Sequence, residues 1–211
     1  MTGSGPHARG VPVTYTNRKG VTYYLCQGQT KTGKVRYYFA RAPQDTPIAP
    51  IPTGYVITES VNGIVSLVKD RPSLITPAES AIVEAAVSRH PQAHKYRVAR
   101  KHKQIDVYEQ WGPDATELAS LLHQDLGVPR AAALAQMQGF VERTATYTQV
   151  IHFLLEDGTT RTFRAERLLS LGIEDDWIPV GWGTLTDLVQ RAIPALGTDD
   201  FYDLLPWDST P

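Results

Sequence analysis

Apolar and polar positions alternate with a period of two along residues 15–41, a pattern typical of half-buried β-strands. The alternation is clearest around Val21, Tyr23 and Leu25, and it returns between Val35 and Phe39. Hairpin-turn composition is found at residues 17–20, which end in Gly20, and at residues 30–34, which contain Gly33. With an earlier strand at residues 11–16, the segment therefore predicts an antiparallel meander.

Three further hairpins are predicted along the chain. Val61-Asn62-Gly63 separates two alternating segments, and Asn-Gly is a strong hairpin signal. A proline-rich connector at residues 42–54 precedes this hairpin and is expected to run extended along the first sheet. The other two hairpins are predicted at residues 94–110 and at residues 144–164, the second around an Asp157-Gly158 turn.

Helix starts are marked by capping residues followed by an acid three positions later. Thr76 with Glu79 predicts a helix to about Arg89, and Asp114 with Glu117 predicts one closed by Gly127. The remaining predicted helical segments are residues 129–138, a short helix over residues 165–171, a helix starting at Thr184 and stopped by Pro194, and an acidic turn at residues 199–205.

These elements predict an α+β fold, with antiparallel hairpins and a meander in the N-terminal half. That half carries one helix, whereas the C-terminal half is more helical and contains a further hairpin. We expect a disordered leader at residues 1–10, a basic β-rich domain with one helix at residues 11–112, and an acidic α+β domain at residues 113–211.

The composition is ordinary for a globular protein of 211 residues, with 42% hydrophobic and 20% charged side chains. No apolar run is long enough to span a membrane, and the first ten residues lack a signal-peptide core, so a cytoplasmic location is expected. The single cysteine, Cys26, rules out an intramolecular disulfide and a cysteine-rich zinc site.

The net charge of −1 conceals opposite charges in the two halves of the sequence. Residues 1–103 contain 15 Lys or Arg against 5 acids, whereas residues 104–211 contain 6 against 17. Such an asymmetry indicates either binding to a polyanion or association between oppositely charged surfaces.

The basic, tyrosine-rich meander is a candidate surface for DNA or RNA. Arg and Lys neutralise phosphates, and exposed tyrosine rings stack on unpaired bases. The candidate residues are Arg18, Lys19, Lys31, Lys34, Arg36 and Arg41, with Tyr24 and Tyr38, or alternatively Tyr23 and Tyr37, as stacking platforms. The alternative is a solvated sheet whose lysines only protect its turns and edges.

A second basic cluster lies between Arg89 and Lys103 and extends the candidate surface. Its predicted nucleic-acid-binding members are Lys95, Arg97, Arg100, Lys101 and Lys103. The competing interpretation is that these cations pair with the acidic half of the chain, in the same molecule or in a neighbour.

No catalytic signature is present, which favours a binding protein over an enzyme. We expect no cofactor and no metal, because His90 and His94 lack a nearby carboxylate or cysteine to complete a ligand set. Cys26 is interpreted as a small buried residue. The leading hypothesis is a non-enzymatic nucleic-acid-associated protein. The alternatives are a protein-interaction or self-associating module driven by oppositely charged halves, and an enzyme of unrecognised type.

Overall fold

The computed structural model describes residues 11–43, 46–170 and 175–206. It has mixed α+β architecture with antiparallel sheets, which confirms the predicted fold class. The chain forms two compact units. Unit 1 comprises residues 1–70 with 142–144, and unit 2 comprises residues 71–141 with 145–211. The leader expected at residues 1–10 lies outside the described residues, and the domain boundary after residue 112 stays a prediction.

Unit 1 contains the predicted meander. Its strands are β1 (Thr14–Thr16), β2 (Thr22–Gln29), β3 (Val35–Ala40) and β4 (Thr46–Pro47), with β2 paired to all three others. The proline-rich connector runs along this sheet as expected, since Ile48 exchanges backbone hydrogen bonds with Val13 and Leu25. The first strand is shorter than the predicted residues 11–16.

The second hairpin of unit 1 consists of β5 (Tyr55–Glu59) and β6 (Val65–Lys69), as the Asn-Gly signal predicted. Buried Asn17 joins the two hairpins, because its Nδ2 donates to the Gly63 carbonyl at 2.6 Å. Its Oδ1 accepts from the backbone amides of Lys19 and Val21. Tyr15 donates to Glu59 at 3.0 Å, so side chains tie the turn regions of unit 1 together.

Unit 2 is built on a five-stranded antiparallel sheet. Its elements are α1 (Pro77–Ser88), β7 (Tyr96–Arg100), β8 (Gln104–Trp111), α2 (Ala115–Leu126), α3 (Arg130–Thr144), β9 (Thr146–Asp157), β10 (Thr162–Ser170), β11 (Asp175–Gly183) and α4 (Leu185–Ala192), with 3-10 turns at Ala93–Lys95 and Asp199–Phe201. The strand order is β11-β10-β9-β8-β7. Helices α2 and α3 occupy the connection between the neighbouring strands β8 and β9, and the last residues of α3 are grouped with unit 1.

The hydrophobic core of unit 2 lies between one face of this sheet and the helices α1 and α4. Ile105, Ile151 and Phe153 from the sheet are fully enclosed, as are Val83 from α1 and Leu188 from α4. Burial of these apolar side chains is the main favourable term that fixes the helices on the sheet.

The predicted helix starts are confirmed. Thr76 and Glu79 form a reciprocal capping box, and Asp114 and Glu117 form a second one. Thr184 caps α4 by accepting from the Asp187 amide. Because each cap satisfies amide groups that the first helical turn leaves without partners, these short signals fix the starts of the helices.

Three local predictions were wrong. Residues 165–170 belong to β10 instead of a helix, because they pair with β9 on one side and β11 on the other. The predicted 144–164 hairpin forms, but its turn spans residues 158–161, and the positive φ falls at Arg161 (55°) instead of Gly158. Helix α3 continues to Thr144, past the predicted end at residue 138.

Candidate functional site

The β2–β3 hairpin of unit 1 carries the most exposed group of candidate cations. Its turn is closed by the Gly33 amide, which donates to the Thr30 carbonyl at 2.9 Å, and the turn places Lys31 and Lys34 in solvent. Arg36 on β3 and Arg41 just after it are also exposed. Among the described residues, none of these four cations forms a salt bridge with a carboxylate.

Strand register decides which tyrosines share a face with the cations. Arg36 pairs with Gly28, and Tyr38 pairs with Cys26, so Arg36 and Tyr38 project from the same side of the sheet as Tyr24. The Arg36 guanidinium lies 4.9 Å from the centre of the Tyr38 ring, a cation–π contact that holds the two side chains together. The structure therefore brings these three candidate residues to one face.

The alternative pair, Tyr23 and Tyr37, projects from the opposite face. Tyr37 makes an edge contact with Tyr55 at 5.7 Å between ring centres, and β3 also contacts β6. This face therefore packs within unit 1, and Tyr24 and Tyr38 are the better placed stacking platforms.

The other two cations of the unit 1 candidate set sit at the β1–β2 turn. Arg18 is beside Glu59, with a backbone hydrogen bond of 2.9 Å and a guanidinium Nε at 3.9 Å from the same carboxylate. The Lys19 stem lies against the site of Gly63. These contacts place Arg18 and Lys19 in the junction between the two hairpins, away from the β2–β3 turn along the chain.

Two cations of the second basic cluster are paired with the protein's own acids. Lys95 lies 3.7 Å from Asp114 and 3.8 Å from Glu117, both at the start of α2. Lys101 lies 2.5 Å from Asp106, which is completely buried. These two lysines therefore fit the competing interpretation, in which cations of this cluster pair with acids from the second half of the chain.

The remaining members of the second cluster differ from one another. Arg97 donates to the backbone carbonyls of His94 and Tyr96 and lies 5.2 Å from the Tyr147 ring centre. Arg100 and Lys103 are exposed, and within the described residues neither forms a salt bridge. Within the described residues, three predicted binding residues of this cluster thus form no salt bridge, Arg97, Arg100 and Lys103, as is the case for the four cations of the β2–β3 hairpin.

Sequence reasoning missed a buried polar network on the sheet face opposite the core of unit 2. Asp106, His152 and Glu166 are register partners on β8, β9 and β10, and each is at most 8% exposed. His152 Nε2 lies 2.7 Å from Glu166, and the imidazole stacks on Trp177 at 4.1 Å between ring centres. Along the sequence, each of the three residues lies between apolar or buried neighbours. Such alternation is normally typical of a polar residue that faces solvent, so it gave no signal of burial.

The members of this network satisfy one another. Asp106 accepts from Gln104 at 2.7 Å and from Tyr108 at 3.2 Å, in addition to its contact with Lys101. Burial and the charge of Asp106 raise the pKa of Tyr108. Burial alone would lower the pKa of Lys101, but the hydrogen bond to Asp106, the charge of Asp106 and the contact with Tyr108 together outweigh burial and raise this pKa. The network thus keeps Lys101 protonated and gives this face a structural role.

The histidines near the second cluster are held by hydrogen bonds. His94 Nε2 lies 2.9 Å from Asp114, and His102 Nδ1 lies 2.9 Å from the Pro72 carbonyl. Among the described residues, no group of three or more His, Cys, Asp or Glu side chains is arranged to hold a metal ion. Cys26 is fully buried beside the Tyr24 carbonyl.

No helix in the part of the chain that the structure describes combines the length and apolar character needed to cross a membrane. Comparison with known proteins gave no match to a family model, to a curated protein or to a solved structure.

Proposed function

We propose that the protein binds nucleic acid through the β2–β3 hairpin of unit 1, without a catalytic step. The observation that carries the proposal is the group of four exposed cations, Lys31, Lys34, Arg36 and Arg41, which have no carboxylate partner among the described residues. Unpaired exposed cations attract the phosphates of DNA or RNA, because binding releases the counter-ions condensed on the polyanion.

The charge of the whole unit supports this assignment. Unit 1, residues 1–70 with 142–144, contains nine Lys or Arg against four acids. An excess of positive charge over a short segment gives a field that steers a polyanion toward the unit and raises its association rate. The four hairpin cations are exposed contributors to this excess.

The tyrosines on the Arg36 face add a reason to favour single strands. Tyr24 and Tyr38 are half-buried, and Arg36 covers part of the Tyr38 ring. Aromatic rings and guanidinium planes both stack on unpaired bases, so this face suits a strand whose bases are not already paired. Arg100 and Lys103 of the second cluster are secondary candidates for phosphate contact.

The test is a titration of single-stranded and duplex oligonucleotides, followed by fluorescence anisotropy as salt is raised. The logarithm of the binding constant should fall linearly with the logarithm of salt, by about 0.7 per phosphate contact on a single strand. Lys31→Glu, Lys34→Glu, Arg36→Glu and Arg41→Glu together should abolish most of the binding.

A matched control reverses three exposed cations of unit 2 that are not candidate contacts. Arg71→Glu, Arg89→Glu and Arg130→Glu change the net charge by the same amount as Lys31→Glu, Lys34→Glu and Arg36→Glu together, and they should weaken binding less. An equal loss of affinity in the two variants would mean that the total charge of the protein alone determines binding. Absence of binding to any oligonucleotide at low salt would rule the proposal out.

The protein-interaction alternative receives less support from the same geometry. Lys95 and Lys101 already engage carboxylates of the acidic half within unit 2. Intramolecular pairing of this kind leaves fewer unpaired charges for association between oppositely charged halves of two molecules.

A further inference from the structure

Unit 2 contains a cavity of about 570 Å³ at one end of its sheet. The cavity is lined by the end of β8, the start of β9, the end of β10 and the segment around the second 3-10 turn. Its wall includes two acids, Glu109 and Asp199, and two aromatic side chains, Trp111 and Tyr202, that are 78% and 61% exposed. Its volume falls in the range of sites for small organic molecules.

Strand β10 carries a buried arginine that has no carboxylate partner among the described residues. Arg167 on β10 is 7% exposed and makes one hydrogen bond, from Nη2 to the Tyr202 carbonyl at 2.7 Å. Its Nε and Nη1 are buried without a hydrogen-bond partner, and no carboxylate forms a salt bridge with it among the described residues. Enclosing a guanidinium in this way is unfavourable unless something supplies the missing acceptors.

Strand register relates Arg167 to the cavity. Arg167 pairs with Ile151, so its side chain lies on the core face of the sheet. The next two residues of β10, Leu168 and Leu169, line the cavity, as does Tyr202, whose carbonyl Arg167 contacts. Arg167 does not itself line the cavity. It is linked to the cavity through Tyr202, which lines it and whose carbonyl and ring both contact the guanidinium.

We propose that this cavity binds a small molecule that carries both a carboxylate and a protonated amine, such as a free amino acid or a short peptide. The carboxylate supplies the acceptors that Nε and Nη1 of Arg167 lack, in the side-by-side geometry that a guanidinium favours. The amine is placed near Glu109 and Asp199 on the cavity wall, and Trp111 provides an apolar surface for the rest of the molecule.

Binding requires one local movement. The Arg167 nitrogens are enclosed in the unliganded protein, and the Tyr202 ring lies 5.8 Å from the guanidinium carbon. Because the Tyr202 side chain is largely exposed, it can rotate away and open the guanidinium to the cavity, at the expense of its edge contact with the Phe201 ring. The proposal does not depend on nucleic-acid binding by unit 1.

The experiment is a ligand-observed NMR screen of the full chain against free amino acids, ω-amino acids and dipeptides. Each probe is compared with its amide, which lacks the carboxylate, and with the acid that lacks the amine. Zwitterions should bind, and both analogues should bind at least about tenfold more weakly, as expected for loss of a charged hydrogen-bonding partner. No binding by any zwitterion, or equal binding by the amides, would overturn the proposal.

Variants of Arg167 separate a binding role from a structural one. Arg167→Met should reduce affinity for the best probe about tenfold to a hundredfold, while Arg167→Lys should retain part of it. Without ligand, Arg167→Met should raise Tm by about 2–4 °C, because it removes an uncompensated buried charge. A lower Tm with unchanged ligand binding would show that Arg167 serves only the fold.

Tyr202→Ala provides a second variant that leaves Arg167 in place. It shortens the side chain that covers the guanidinium, so it should preserve or strengthen binding of the zwitterionic probes. Loss of binding in a folded Tyr202→Ala protein would contradict the proposed opening movement.

Discussion

Asn17 shows how much of unit 1 depends on a single short side chain. It is buried, and its amide group both closes the turn before β2 and donates to the carbonyl of Gly63 in the other hairpin. A buried amide with three hydrogen bonds is costly to leave unsatisfied, so the spacing between Asn17 and Gly63 is tightly constrained.

Gly63→Ala should therefore be more damaging than Gly33→Ala. Both glycines are in hairpin turns with nearly equal φ, 77° and 78°, so each substitution carries a backbone cost of about 1 kcal/mol. A Cβ at residue 63 would lie 3.1 Å from Asn17 Nδ2, whereas a Cβ at residue 33 meets nothing within 4 Å. Displacing Asn17 should add about 1–2 kcal/mol to the loss of stability.

The stabilities of Gly63→Ala and Gly33→Ala are best compared by amide hydrogen exchange in β2 and β5, which reports the free energy of opening of unit 1 separately from unit 2. Equal loss of protection in the two variants would show that the Asn17 contact contributes nothing beyond the backbone term.

At the scale of elements, the start of α1 is held by a contact that its capping signature did not predict. Arg161, in the turn between β9 and β10, donates from Nε and Nη2 to Glu79 Oε1 at 2.8 and 2.6 Å. Arg161 also donates to the Leu74 carbonyl. This contact joins a helix start to a turn far along the chain, and it accompanies the positive φ of Arg161.

Glu79→Gln should destabilise the protein at neutral pH by about 1–2 kcal/mol. This loss of stability is smaller than for a fully buried pair, because Arg161 is partly exposed and solvent screens the contact. Glutamine can still act in the capping box, so the substitution isolates the charged contact. Burial alone would raise the pKa of Glu79, but hydrogen bonds from Arg161 and Thr76 outweigh it and hold the pKa below 4.5. The carboxylate therefore contributes stability above pH 4.5 that is lost as pH falls through the lower folded-state pKa.

The measurement is urea denaturation of both proteins at neutral pH and at a series of values below 4.5, where their stabilities should converge. Glu84→Gln is the matched control on the same helix, because Glu84 accepts from Ser80 but forms no salt bridge among the described residues. A difference between wild type and Glu79→Gln that persists undiminished at low pH would contradict the assigned cause.

The elements that sequence predicted well are those specified by local chemistry. Capping pairs and the Asn-Gly turn act over three or four residues, so α1, α2, α4 and the β5–β6 hairpin were recognisable in advance. Residues 165–170 and 175–183 form strands because each has a partner strand to pair with, and a single sequence does not show that partner.

The candidate sites likewise combine features that the sequence shows with features that arise only in the fold. Exposed cations on a turn can be recognised from composition, whereas the burial of His152, Glu166 and Arg167 depends on strands and segments that pack together only in the fold. Alternation of polar and apolar residues, as along β9 and β10, is typical of a sheet with one solvent-facing side. It did not indicate that both sides of this sheet are covered at these positions.

For the whole molecule, the boundary between the basic and acidic halves of the sequence is not the boundary between the two units. Strand β7 from the basic half pairs with β8, which comes from the acidic half, as do β9, β10 and β11. Unit 1 contains nine Lys or Arg against four acids, and unit 2 contains twelve against eighteen, so about half of the asymmetry is contained within unit 2, where Lys95 and Lys101 meet Asp114 and Asp106.

We accordingly expect the molar mass in solution to be the same at low salt and at about 0.5 M salt, where exposed charges are screened over a few ångströms. Light scattering coupled to size-exclusion chromatography measures this directly. A mass that falls as salt rises would instead support self-association through oppositely charged surfaces.

The placement of α2 and α3 has a consequence for how this chain can vary. Trp111 at the end of β8 and Thr146 at the start of β9 are register partners, so the chain leaves the sheet and re-enters it at one point. Residues 112–145 can therefore be lengthened, shortened or exchanged for another peptide without shifting the register of any strand. Divergence in length between evolutionary descendants of this fold should concentrate there, and grafted sequences should be tolerated at the same junction.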